Sequence, residues 1–98
     1  MTIEKSKQDK KLTMKLCGRL DTVTAPDLEA ALKSNLEGVA DLVFDLAELE
    51  YVSSAGLRTL LMAQKIMNTQ GSMRIINVCE IVREIFEITG CNSIFTIE

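Results

Sequence analysis

Histidine and tryptophan are absent from this chain of 98 residues, and aromatic residues of every kind make up only 4% of it. Without histidine there is no imidazole to serve as general base or metal ligand near neutral pH. With so few aromatics, any core has to be built from Leu, Ile, Val and Met. Cysteine is scarce too: Cys17, Cys79 and Cys91 are odd in number, far apart and free of any Cys-x-x-Cys pair. That pattern argues against a disulfide framework or a zinc site and for reduced thiols. Cys17 and Cys79 fall in apolar, strand-like runs, the ordinary place for a buried thiol. No run approaches the roughly 18 apolar residues that span a bilayer, and Met1–Lys5 is polar with no signal core. The expected location is the cytoplasm, with no membrane partner. An excess of positive charge is also missing: Lys and Arg total 11 against 14 Asp and Glu, a net charge of -3. Outside Lys5–Lys11 the cations are scattered, so nucleic-acid binding is not expected.

What remains is a chain of ordinary globular composition, 47% hydrophobic and 26% charged, long enough for one domain over residues 1–98. Leu12–Cys17 alternates apolar and polar residues and predicts a strand with one wet face. Residues Ile3–Lys7 predict a short partner strand, with Gln8–Lys11 as the turn. Thr24-Ala25-Pro26-Asp27 reads as a helix start, with Thr24 as N-cap and Asp27 completing a capping pattern. Leu28, Ala31, Leu32 and Leu36 follow at helical spacing, and Gly38 marks the end. Asp41–Leu46 is a nearly continuous apolar run, as in a strand buried on both faces. A second helix is predicted over Ser54–Gln70, closed by Gly71, then a strand at Met73–Val78, a helix at Glu80–Thr89 closed by Gly90, and a last strand at Ser93–Ile97. The order β-β-α-β-α-β-α-β implies an α/β fold with a mixed, mostly parallel sheet of four to five strands and crossover helices.

Catalytic chemistry finds no support in the motifs. There is no Gly-rich phosphate loop, no Gly-x-Ser-x-Gly elbow and no metal-ligand cluster, so no enzyme and no cofactor is expected. The informative stretch is Leu49–Arg58. Two serines open a helix there, and either Ser53 or Ser54 can be its N-cap, with Gly56 allowing close packing in the first turn. On that helix Gly56, Leu60, Ala63 and Met67 share one tight apolar face, flanked by Leu57 and Ile66. Leu61 and Met62 fall well away from it; exposed beside the serines they would mark a partner-binding surface, the alternative being that another element covers them. A phosphate on a serine at this helix start would meet free backbone N–H groups and the positive end of the dipole. Arg58, four residues beyond Ser54, is a candidate for pairing with it.

Gly18-Arg19-Leu20-Asp21, Asp45-Leu46, Tyr51-Val52-Ser53-Ser54-Ala55-Gly56-Leu57-Arg58 and Ile85-Phe86-Glu87-Ile88-Thr89-Gly90 together resemble the STAS domain of bacterial anti-sigma-factor antagonists, in order and spacing, from Leu12 to Glu98. The resemblance implies a partner-switching cycle. The unphosphorylated antagonist binds an anti-sigma factor that is also a serine/threonine kinase and so releases the sigma factor. The kinase phosphorylates the antagonist at the start of the second helix, and a PP2C-type phosphatase reverses the step. Many members read Asp-Ser-Ser-Gly or Asp-Ser-Thr-Gly there. Laid on without gaps, Ser54 takes the acceptor position, Ser53 that of the aspartate and Ala55 that of the next hydroxyl residue, with Ser53 the other candidate acceptor. The implied partner surface comprises Asp21, Ser53, Ser54, Ala55, Gly56, Leu57, Arg58, Leu61 and Met62. Asp21 and Asp45 are expected near the Ser54 end, either as ordinary loop hydrogen-bonding groups or as residues that shape the acceptor loop. The free chain is expected to be a monomer. STAS-like domains also serve as non-phosphorylated interaction subunits of transporters and sensory complexes, which is the alternative reading.

Overall fold

The computed structural model describes residues 1–98. Its elements are β1 (Thr2–Gln8), β2 (Lys11–Leu20), α1 (Ala25–Asn35), β3 (Asp41–Val52), α2 (Ser54–Gln70), β4 (Ser72–Ile76), α3 (Glu80–Thr89), a 3-10 turn (Cys91–Ser93) and β5 (Thr96–Ile97). The five strands form one sheet in the order β1-β2-β3-β4-β5. The β1–β2 pair is antiparallel and the remaining pairs are parallel. This is the expected mixed α/β architecture with the expected element order.

Parallel register puts Leu12, Leu42 and Met73 side by side across three strands, and Met14, Phe44 and Ile75 likewise. These side chains form one sheet face, on which the buried residues of α1 (Ala25, Leu28, Leu32), α2 (Leu60, Ala63, Met67) and α3 (Val82, Phe86) close a single cluster of 24 residues. The opposite face is polar and carries the Arg74–Asp41 and Lys15–Glu48 ion pairs. Val43 is buried outside the main cluster. The expectation that this strand is buried on both faces holds at its centre, where Leu42 and Phe44 face the core and Val43 is buried on the other side, flanked there by the half-buried Asp41 and Asp45.

The hairpin turn falls at Gln8–Lys11 as expected, Gln8 pairing with Lys11 and only Asp9 and Lys10 lying between them. Asp9 takes φ 56, a left-handed conformation that Asp tolerates. Several boundaries differ from expectation for local reasons. The two central strands run on to Leu20 and Val52 rather than stopping near Cys17 and Leu46. Register shifts between Lys15 and Cys17 and between Gly18 and Arg19 give β3 extra residues relative to β2, and such bulges bend and twist a strand while letting pairing continue. β4 stops at Ile76, and Asn77 follows at φ 59. The predicted last strand shrinks to Thr96–Ile97, since Cys91–Ser93 coils into the 3-10 turn.

Two helix ends are held differently from expectation. α1 stops at Asn35, before Gly38. Gly71 follows α2 in an extended conformation (φ 172), so it is not a left-handed cap; a Cβ there would stand 1.9 Å from the Ala40 carbonyl oxygen. Gly90 does end α3 in the left-handed region, at φ 78. Of the cysteines, Cys91 is the buried one, whereas Cys17 and Cys79 are half-buried, and Cys79 is the N-cap residue of α3 rather than part of a strand.

Candidate functional site

The C-terminal ends of β2 and β3 lie side by side, with Arg19 paired to Tyr51 and Leu20 to Val52. One residue later the chain turns into α2, and the Ser53 N–H donates to the Leu20 carbonyl at 2.8 Å. This bond ties the start of the helix to the end of the neighbouring strand. Gly56 completes the joint: a Cβ on it would lie 2.7 Å from Leu20 Cγ and 2.8 Å from Leu20 O. Only a residue without a side chain lets α2 sit this close to β2.

The two serines then divide their work. Ser53 is the N-cap, in extended conformation, and its Oγ accepts from the Gly56 N–H at 3.2 Å, satisfying one of the orphan donors of the first turn. Ser54 is the first helical residue, is exposed, and its hydroxyl makes no hydrogen bond within the protein. The first turn of α2 contains no acidic residue, so the positive end of the helix dipole is uncompensated.

Asp21 sits in the turn that follows Leu20. Its Oδ1 accepts from the Val23 N–H (3.0 Å) and the Thr24 N–H (3.1 Å), while its own N–H donates to Thr24 Oγ1 at 2.8 Å. Thr24 Oγ1 also lies 2.8 Å from the Arg19 carbonyl and 3.1 Å from Asp21 Oδ1, and its single proton serves one of the two at a time. Thr24 therefore makes no side-chain cap for α1. Thr24 is the N-cap residue as expected, its carbonyl accepting from the Asp27 and Leu28 N–H groups, but its hydroxyl is turned to the Asp21 loop, while the Asp21 carbonyl accepts from the Ala25 N–H at 2.8 Å. Only the side-chain bonds of the expected Thr24–Asp27 capping pattern are corrected. The hydrogen bond from the Thr24 N–H leads the causes that hold the Asp21 carboxyl below its usual range; Thr24 Oγ1, the Val23 N–H and the Arg19 charge act in the same direction and partial burial opposes them. Arg19 links this turn to β3. Its guanidinium lies 4.4 Å from the Tyr51 ring centroid, and its Nε is 3.9 Å from Asp21 Oδ2.

The other expected site residues are distributed unequally. Arg58 is exposed and free of any salt bridge. With Glu29, Thr59 and Met62 it lines a shallow groove of about 240 Å³ between α1 and α2. Ala55, Leu61 and Met62 are half-buried and pack against the core, so for Leu61 and Met62 the alternative of cover by other elements holds in large part, and full exposure is corrected. Gly56 and Leu57 face inward, Leu57 being 7% exposed. Asp45 is not at this end of the sheet. It lies within β3, beside the bulge, where Oδ1 accepts from the Ala47 N–H (3.1 Å) and from Asn77 Nδ2 (3.2 Å).

Val23 is the apolar residue at this site that pattern reading missed. It is 82% exposed, in the turn held by Asp21 and Thr24. A lone Val in a Thr-rich loop has no periodicity to reveal it. No group of three or more Cys, Asp and Glu side chains is placed to hold a metal ion, and no helix is long and apolar enough to cross a membrane.

The family model for the STAS domain matches residues 2–98. The chain is 38% identical over 99 residues to BtrV of Bordetella bronchiseptica, provisionally named an anti-sigma factor antagonist, an alignment covering 99% of this chain and 85% of that one. It is 33% identical over 92 residues to the anti-sigma-B factor antagonist of Staphylococcus aureus, covering 92% and 85%. Its fold is similar to the crystal structure of an anti-sigma factor antagonist from Mycobacterium paratuberculosis, with a TM-score of 0.88 at 25% identity, covering 98% and 83%.

Proposed function

This chain belongs to the STAS-domain family, and we propose that it is an anti-sigma-factor antagonist that binds an anti-sigma serine kinase when unphosphorylated and is released when Ser54 is phosphorylated. The observation that carries this reading is the contrast between the adjacent serines. Ser53 commits its hydroxyl to the helix cap, whereas Ser54 presents a free hydroxyl to solvent at the first position of α2.

The physics of the switch follows from that position. A phosphate on Ser54 sits at the positive end of α2, next to unpaired backbone N–H groups, with Arg58 one turn away. Its effect on this fold is small or favourable. A partner pressed against the same surface, formed by Asp21, Ser53, Ser54, Ala55, Arg58, Leu61 and Met62 with Gly56 and Leu57 supporting it from beneath, meets about −1.5 to −2 of added charge and three solvated oxygens. The complex breaks while the antagonist stays folded. Return to the binding form falls to a phosphatase of the PP2C type. Asp21 shapes the rim of this surface, and Asp45 supports it only at a distance, through the β3 bulge.

Incubation with an anti-sigma serine kinase and ATP tests the assignment. One phosphate is expected, mapped to Ser54 by mass spectrometry and lost in Ser54→Ala. Labelling that persists undiminished in that variant overturns Ser54 as acceptor.

A further inference from the structure

The outer flank of α3 carries apolar surface that the core uses only in part, through Ile85, and the Ser54 surface does not use. Ile81 and Ile88 are 59% and 85% exposed, and Ile85 is half-buried between them. At about 100° per residue the three fall in one stripe, beside the line of Val82 and Phe86 that enters the core. Ile94, just past the 3-10 turn that packs against α3, adds a further side chain at 53% exposure. Burying such side chains removes apolar surface from water, so a stripe of this kind favours an occupant.

Charge identifies the occupant. On the side away from the core the stripe is bordered by Glu80, Glu84 and Glu87, all exposed and none in an ion pair. Arg83, the one cation on the helix, lies beyond them. A second copy laying α3 on α3 would set carboxylates against carboxylates, and an anionic lipid surface would be repelled in the same way. We infer that this flank docks an amphipathic helix of a protein partner, with aliphatic residues at i, i+3, i+4 and i+7 and lysine or arginine beside them. Such a helix covers the isoleucines and neutralises the glutamates. The inference does not depend on the Ser54 cycle.

The test uses the whole chain and two fluorescent synthetic helices with the same leucine stripe, one bordered by lysines and one by glutamates. Fluorescence anisotropy is expected to give about tenfold or tighter binding for the lysine-bordered helix. The Ile81→Ser/Ile88→Ser double variant and Glu84→Lys should each lose that preference while their circular dichroism stays unchanged. Equal binding of the two helices, or binding unaffected by the isoleucine changes, overturns the inference. A mass that doubles with concentration and returns to monomer in the double variant overturns it in favour of a second copy. Co-sedimentation with phosphatidylglycerol vesicles that is lost in the double variant overturns it in favour of a membrane.

Discussion

Gly56 packs against Leu20 with no room for a methyl group: a Cβ would stand 2.7 Å from Leu20 Cγ and 2.8 Å from its carbonyl oxygen. The same carbonyl holds the Ser53 N–H, so anything that lifts α2 here also disturbs the cap. Gly56→Ala is expected to destabilise the protein by about 1–3 kcal/mol, the usual cost of overpacking, and to weaken kinase binding by displacing Ser54. Urea denaturation and a binding titration on the same preparation measure both effects.

The adjacent serines should separate cleanly by phenotype. Ser53→Ala removes the cap bond and is expected to cost about 1 kcal/mol of stability while leaving phosphorylation at Ser54 intact. Ser54→Ala should leave stability within about 0.5 kcal/mol, as for an exposed residue without partners, and abolish phosphorylation. Thermal melts paired with phosphopeptide mapping give the comparison.

A negative charge at position 54 should act on the partner and spare the fold. Ser54→Asp is expected to melt no lower than the parent, because an acidic group at a helix start is favourable. Its affinity for the kinase should fall about tenfold or more, a loss of about 1.4 kcal/mol. Calorimetric titration alongside a melt decides whether the effect is electrostatic or a general loss of structure.

The depressed Asp21 carboxyl makes stability depend on acid. The unfolded chain takes up its proton at a higher pH than the folded one, so Asp21 contributes stability above its unfolded value of about 3.8, and this is lost as pH falls through the lower folded value. Asp21→Asn should lower the melting temperature near neutrality and flatten its dependence on pH in the acid range. Glu48, depressed by its hydrogen bonds from Cys17 and Lys15, accounts for part of the slope that remains.

Cys17 should be a sluggish nucleophile. Its Sγ lies 3.3 Å from Glu48 Oε2, and the hydrogen bond to that carboxylate, with partial burial and the negative charge, pushes the thiol up. Glu48→Gln is expected to speed alkylation of Cys17 at neutral pH, because the thiolate no longer faces a charge. Site-resolved rates of iodoacetamide labelling measure it.

The sequence exposed those features that repeat. Gly56, Leu60, Ala63 and Met67 recur at the helical period, and they are the buried line of α2. Leu12, Met14 and Leu16 alternate, and they face the core from β2. Where the period breaks, legibility ends. The bulges past Lys15 and Gly18 change which residues oppose each other, so Ala47–Val52 looks like a loop although it continues β3 to the threshold of α2. The position of Asp45 followed that mistaken strand end. Leu61 and Met62 lie off the main apolar line of α2, yet tertiary neighbours half-bury them. Thr24 is legible as the N-cap of α1, but that its hydroxyl turns to Asp21 and the Arg19 carbonyl depends on the path of the chain out of β2, which no local pattern encodes.

The strands lie across the sheet in the same order in which they occur along the chain. Each strand therefore finds its neighbour already present, and no late segment has to wedge between two earlier ones. Loop closures stay short, which favours fast folding. Growth during synthesis can proceed from the β1–β2 hairpin outward, one crossover at a time. At every stage one edge advances while the outer edge of β1 stays unpaired, and the two residues of β5 are the last to join the advancing side.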